Sequence, residues 1–308
     1  MNIIKRRYLF FALSLIIIIP GLVVLISQAA RNELPLSIDF TGGSLLEVRF
    51  PGEIPPTEEI IAVYEGLGVT DTQVQPTDAG TILIRSSYVD NDLRDQILTN
   101  LQTEFSGEVE IVRLDSVGPS IGRQVTSRAG IAVGFSALAI IIYITLAFRG
   151  ISHAFRYGVC AIIAMVHDVA VVLSVSAIGA LFFGWEMDSL FLTALLTVIG
   201  FSVQDKIVVF DRIRENSNVL RRLDFEPLVN HSIIQTLQRS INTQLMTVEF
   251  LLLALALMGG VTLREFAIIL LVGLLSGTYS SIFIAAPILV LWETREWKNW
   301  FKRKPATA

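Results

Sequence analysis

The chain has 308 residues, 53% of them hydrophobic, and a formal net charge of −4. Soluble chains are about 45–50% apolar with shorter uncharged runs, so this composition, with a mean hydropathy of +0.62, excludes an ordinary soluble globule. Nucleic-acid binding is excluded too, because no domain is basic and no aromatic–basic interleaving occurs.

A spanning helix needs about 20 mostly apolar residues. The first candidate is Tyr8–Gln28, preceded by Lys5-Arg6-Arg7. It looks like a signal peptide, but its apolar core is long and no good small-residue cleavage site follows, so residues 1–29 read as a short tail and an uncleaved first span.

Residues 30–125 have soluble patterning, with 16 acidic and 6 basic residues, all arginine. "SLLEVRF" alternates at Leu46, Val48 and Phe50, which predicts a half-buried strand. "PPTEEIIAVYEGLG" predicts a helix, with Thr57 at its N-cap, Glu58 and Glu59 in the first turn, and Gly68 as the stop. "TDTQVQP" and "TILIRSS" flank the turn Thr77-Asp78-Ala79-Gly80 and predict a hairpin. A second helix follows, with Leu93, Ile97, Leu101 and Phe105 on one face, and "EVEIVRL" is the last strand. The order β-α-β-β-α-β is the α+β ferredoxin-like plan. That plan hosts many activities and identifies none by itself.

Residues 126–295 hold five more candidate spans, at Gly130–Phe148, Tyr157–Trp185, Ser189–Asp211, Ser240–Gly259 and Phe266–Trp292, with a loop at 212–238. Residues 296–308 form a basic tail. The fold class is therefore an α-helical membrane protein of six spans with one extracytoplasmic domain. Basic residues before the first span, around 149–156, in the 212–238 loop and in the tail put both termini in the cytoplasm by the positive-inside rule. The single cysteine, Cys160, allows no intrachain disulfide and reads as a buried small hydrophobe.

Ionisable groups inside spans are costly and mark functional sites. The third span holds His167 and Asp168, the fourth holds Asp205 and Lys206, and the fifth starts near Arg239 and carries Asn242 and Glu249. Each has a plainer reading. His167 and Asp168 form a structural pair, Arg239 anchors a helix end at headgroups, and Glu249 stays protonated and inert. Lys206 is expected to reach the cytoplasmic interface along its own stem. Asp205 is the hardest to set aside, since a short Asp has no stem with which to reach water. Gly273, Gly277 and Ser281 make a small-xxx-small ridge suited to close helix packing. No P-loop, metal-spaced His/Cys cluster or Ser–His–Asp order occurs, so the chain reads as a non-enzyme without cofactor or metal.

"SIDFTGGSLLEVRF", "VGPSIGRQ", "HDV", "VIGFSVQDKIVVFDRIREN" and "TLQRSINT…LMGG", in that order, resemble the SecF proteins of the SecD/SecF family of protein-export membrane proteins, within the RND superfamily. The resemblance implies a six-helix RND-type half completed by a six-helix SecD. It implies work beside the SecYEG channel, and indirectly SecA, on translocating preproteins, driven by the ion-motive force across a prokaryotic plasma membrane. The family's ion-relay acid falls on Asp205 and its basic partner on Arg239, with His167, Asp168 and Glu249 as further candidates. Asp39, Phe40, Thr41, Gly42 and Gly43 match the family signature, whose glycines are expected to allow a tight turn into the first strand. Three positions depart from the pattern. Gln204 and Lys206 flank the acid where the family has Asn and a small hydroxyl residue, and Glu249 stands where it is mostly apolar. Two other readings fit six spans: a subunit of an RND-type small-molecule transporter, and a passive scaffold of the translocon.

Overall fold

A computed structural model describes residues 2–31, 33–50, 54–77, 80–105, 109–149, 153–244, 250–258 and 261–296. The chain divides into two compact units, Leu36–Gly130 and the pair of segments Met1–Pro35 and Ile131–Ala308.

The smaller unit follows the ferredoxin-like plan. Its elements are a short helix α2 (Ile38–Thr41), β1 (Gly43–Arg49), α3 (Thr57–Gly66), β2 (Gln73–Pro76), β3 (Ile82–Ser86), α4 (Asn91–Glu104) and β4 (Glu110–Val117). The sheet order is β2-β3-β1-β4, with every neighbouring pair antiparallel. Leu46 lies opposite Ile84 on one side and Leu114 on the other. The period-2 pattern puts Leu46, Val48, Ile82 and Ile84 on the face that meets Ile60, Tyr64, Ile97 and Leu101 from the two helices. Asp90 caps α4 by accepting from the Leu93 N–H at 2.9 Å. At α3 the cap position falls to Pro56, and Thr57 is the first helical residue rather than the expected cap. Gly68, with φ +85°, ends that helix's turn as expected.

The family-signature glycines do more than turn the chain. Gly42 and Gly43 have φ of +75° and +130°, which side-chain-bearing residues rarely adopt. A Cβ on Gly42 would lie 2.8 Å from Pro119 Cα, and one on Gly43 would lie 2.8 Å from Ser86 O. Gly122 allows the converse approach, since its Cβ would meet Gly42 N at 2.7 Å. Thr126 Oγ1 donates to Phe40 O at 3.1 Å. The signature is a joint where β1, the end of β3 and the chain from Pro119 onward touch backbone to backbone.

The larger unit is a helix bundle, with α1 (Arg7–Ala30), the C-terminal part of α5 (Pro119–Ala147), α6 (Ala154–Phe183), α7 (Ser189–Val219), α8 (Phe225–Gln244), α9 (Phe250–Met258), α10 (Val261–Ser280) and α11 (Ala286–Glu293). Five stretches are long and apolar enough to cross a membrane: Ile4–Ala30, Pro119–Ala147, Ala154–Phe183, Ser189–Val219 and Leu263–Glu293. They make the chain a multi-pass membrane protein. The further expected span, Ser240–Gly259, lies partly outside the described residues. The segment 212–238, expected as a loop, is almost wholly helical. α7 continues to Val219 and α8 begins at Phe225. Its charges decorate helix ends, as in the Arg212–Glu215 pair at 2.5 Å.

α6, α7 and α10 form the interior, and α1 packs on α6. Asp188 caps α7 by accepting from Phe191 N at 2.7 Å, and Gly184, with φ +67°, ends α6. Between Ser280 and Ala286 one turn is a π-helix, Ser281–Ala285. Near the N-terminus, Ile3 and Ile4 are buried, and their N–H groups donate to Asn230 Oδ1 at 2.7 and 3.4 Å. Arg7 pairs with Glu226 at 3.6 Å and with Glu296. Phe148, Tyr157 and Phe210 stack nearby, and Cys160 is fully buried among apolar residues.

Candidate ion-relay site

Close helix packing comes first. A Cβ on Gly273 would lie 2.2 Å from Val198 Cγ2, and one on Gly277 would lie 3.2 Å from Ser202 Cα. The glycine ridge thus lets α10 approach the backbone of α7. That approach brings Ser276 and Ser280 of α10 and Ser202 and Lys206 of α7 to Asp168 of α6.

Asp168 is 1% exposed and Lys206 is 0% exposed. Lys206 Nζ donates to Asp168 Oδ2 at 2.8 Å, to Ser202 O at 3.2 Å, and to Ser202 Oγ. Ser202 Oγ donates to Asp168 Oδ2 at 2.5 Å, and Ser280 Oγ does so at 2.7 Å. On the other oxygen, Ser276 Oγ donates at 2.7 Å and His167 Nδ1 sits at 3.1 Å. Five groups therefore meet one carboxylate. The three ammonium protons meet three oxygens. A buried ion pair is tolerable only when its remaining hydrogen-bonding capacity is filled in this way.

This overturns the expectation for Lys206. Its stem does not carry the ammonium to an interface; the ammonium is enclosed. Ser202 and Lys206 are four residues apart, hence on one helix face, and that face turns toward α6. Sequence spacing held this signal, but it did not say which helix lay opposite.

Asp205 points elsewhere. It is 7% exposed, and its Oδ2 is buried without a hydrogen-bond partner among the described residues. The Thr278 and Gln244 side chains stand beside it as hydrogen-bonding neighbours, and Arg239 acts on it by charge. Arg239 itself is exposed on α8. Asn242, singled out from the sequence, is exposed, and Gln244, two residues on, is the α8 residue turned inward. Glu249 lies outside the described residues. His167 stacks on Tyr279 with ring centroids 6.1 Å apart, and its Nε2 is buried with no partner among the described residues. Sequence reasoning missed Ser276, Ser280, Thr278 and Gln244 as members of these two clusters. Asp39, Phe40, Thr41, Gly42 and Gly43 belong to the separate smaller unit.

The bundle, with buried charges on α6 and α7 packed against α10 and joined in one chain to an α+β domain, defines a multi-pass membrane protein with a polar cluster in its interior. Residues 97–295 match the family described as "Protein export membrane protein SecD/SecF, C-terminal", and residues 32–50 match "SecD/SecF GG Motif". The chain belongs to the SecD/SecF family of protein export membrane proteins. It is 64% identical, over the full length of both chains, to a protein of Anaerolinea thermophila named "Protein translocase subunit SecF". A second of that name, from Thermobaculum terrenum, is 44% identical over 98% of this chain and 97% of its own length. Among solved structures, it resembles the crystal structure of SecDF, a translocon-associated membrane protein from Thermus thermophilus, with 31% identity over 96% of this chain and a TM-score of 0.79. SecDF in a super-membrane-facing form gives 32% identity, 97% coverage and a TM-score of 0.67. The chain spans 39% of the length of these SecDF chains.

Proposed function

We propose that the chain is an accessory subunit of the Sec protein translocase, which works with a SecD-type partner and uses the ion-motive force to promote protein export across the plasma membrane. Full-length relatives that bear the SecF name carry this reading. The 39% share of the SecDF chains agrees with it, because the remainder is room for a SecD-type half. The subunit does transport work and no covalent chemistry. Both termini lie in the cytoplasm and the Leu36–Gly130 unit lies outside, in line with the distribution of basic residues. SecYEG, SecA and the preprotein are met at the membrane surface and in the channel.

Asp205 is the relay acid in this reading. Its carboxyl is buried, has one oxygen without a hydrogen-bond partner among the described residues, and is lined by Gln244, Thr278 and the charge of Arg239. Gain and loss of a proton there, with access alternating between the two sides, couples ion flow to movement of the outside domain. One charge crossing the field yields about 2.3 kcal/mol per 100 mV, which biases a two-state equilibrium by well over tenfold. The test is preprotein secretion into vesicles with and without an imposed proton gradient. Asp205→Asn should abolish the gradient-dependent stimulation while leaving membrane insertion and co-purification with SecD intact. Full stimulation in that variant would sink the relay and leave a passive scaffold as the better reading.

A further inference from the structure

The Lys206 ammonium has the environment of a bound metal cation. Around it stand Asp168 Oδ2 at 2.8 Å, Ser202 O at 3.2 Å and Ser202 Oγ. Ser280 and Ser276 hydroxyls complete the ring on the carboxylate, each at 2.7 Å. Every donor atom is a hard oxygen, and the one carboxylate bonded to the ammonium is Asp168. The π-helical turn Ser281–Ala285 starts directly after Ser280, and π-turns inside helices recur at functional sites. We propose that Asp168, Ser202, Ser276 and Ser280 build an alkali-cation site, and that Lys206 is its permanent, covalently tethered occupant.

Chemistry narrows the class of ion. Hard oxygen ligands suit alkali and alkaline-earth cations over soft metals. Divalent ions are bound by several carboxylates or retained waters. Here one carboxylate, 1% exposed, bonds the cation, so a divalent ion would be left short of bonded negative charge in a buried site. A monovalent ion balances Asp168 as the ammonium does. Carbonyl and hydroxyl oxygens then take the place of its hydration shell.

The charged and titratable neighbours fit this assignment. His167 from α6 touches Asp168 Oδ1 rather than the ammonium. Asp205, next to Lys206 in sequence, is turned toward Thr278 and Gln244. Asp205 acts on the ammonium by charge, but among the described residues Asp168 is the acid that bonds it. The site is thereby closed to exchange, and any ion that moves through the bundle must use another group. The site itself does not depend on the export reading; only this last consequence does.

The experiment is a thermal melt of the purified full-length chain in detergent, in sodium, lithium, potassium or choline chloride at equal ionic strength. The unmodified chain should melt at one temperature in all four salts. Lys206→Ala removes the ammonium and opens its space. Its midpoint should fall in choline and rise by about 5 °C or more, saturably, in at least one alkali salt, because an ion that binds only the folded state stabilises it by mass action. Asp168→Asn combined with Lys206→Ala should lose that response. Lys206→Met fills the space with an apolar stem and should show none. Should Lys206→Ala not be recoverable in any salt, Lys206→Ser is scored in the same way. Equal midpoints in all salts, or a salt response that survives Asp168→Asn, would overturn the proposal. Because the melt involves no export assay, its failure is distinguishable from failure of the translocase reading.

Discussion

Replacing Gly273 by alanine tests whether the α10–α7 contact holds the charged cluster together. The added Cβ would lie 2.2 Å from Val198 Cγ2 and 2.9 Å from Cγ1, with Val172 Cγ2 at 3.1 Å. Ordinary contact begins at 3.4 Å, so the closest approach falls short by about 1.2 Å. Rotating Val198 does not solve this, since both of its methyls are in the way. If the helices absorb the clash in place, overpacking costs about 1–3 kcal/mol. If α10 instead retreats by about 1.2 Å, the Ser276 bond to Asp168, now 2.7 Å, passes out of hydrogen-bond range. Hydrogen bonds to charged groups are worth about 1.5–3 kcal/mol. Either route exceeds the helix-propensity gain of about 1 kcal/mol for Gly→Ala. A net loss of about 1–2 kcal/mol is expected, read as a midpoint lowered by several degrees in detergent. Val198→Ala removes both offending methyls, so the double variant should be more stable than the two single losses predict. The coupling should be at least about 1 kcal/mol. A Gly273→Ala chain that melts within a degree of the parent, or losses that simply add, would refute the reasoning.

Asn230→Ala should free the N-terminal turn, because one side-chain oxygen accepts both the Ile3 and Ile4 N–H groups. The expected loss is about 1–2 kcal/mol, with faster tryptic cleavage after Lys5 and Arg6 as the readout; unchanged cleavage would count against it. In the smaller unit, burial pushes the Tyr64 phenol well above its ordinary range. The unfolded chain releases that proton near pH 10 and the folded one does not, so this contribution is present below about pH 10 and is lost as pH rises beyond it. Tyr64→Phe should flatten the alkaline fall in stability, measured by melts between pH 8 and about 11; an unaltered slope would show that Tyr64 is not its source.

The smaller unit was legible because its signals are local. Alternation at Leu46 and Val48, the stripe from Ile60 to Tyr64 and the hairpin flanks each report a buried face without knowledge of a partner. The helical bundle gave up less. In a membrane, apolar residues face lipid as readily as protein, so hydropathy locates a span but not its inward side. Phe135 and Phe182 are as apolar as any core residue, yet both are more than 70% exposed. The sequence draws attention to Asn242 and not to Gln244 for the same reason, since the phase of α8 is set by its packing on α7. The polar serines at 276 and 280 were hidden because serine is common in helix interfaces and draws attention only once an acid is seen opposite.

In the proposed reading, two acids in one bundle take different roles because of what their neighbours leave open. Asp168 receives five donors from three helices, and one of them is a full positive charge. Any ion visiting it must first displace a tethered ammonium that is itself fully bonded. Asp205 lies one residue before that ammonium but about 100° around the helix, and it keeps an oxygen without a partner among the described residues. Its neighbours are an amide and a hydroxyl, with Lys206 and an exposed arginine acting on it by charge. A group that exchanges an ion needs an unfilled bonding position, and a group that holds three helices in register needs the opposite. Lys206 therefore sharpens the proposed division. It fixes charge at Asp168 and leaves Asp205 as the acid of the proposed relay.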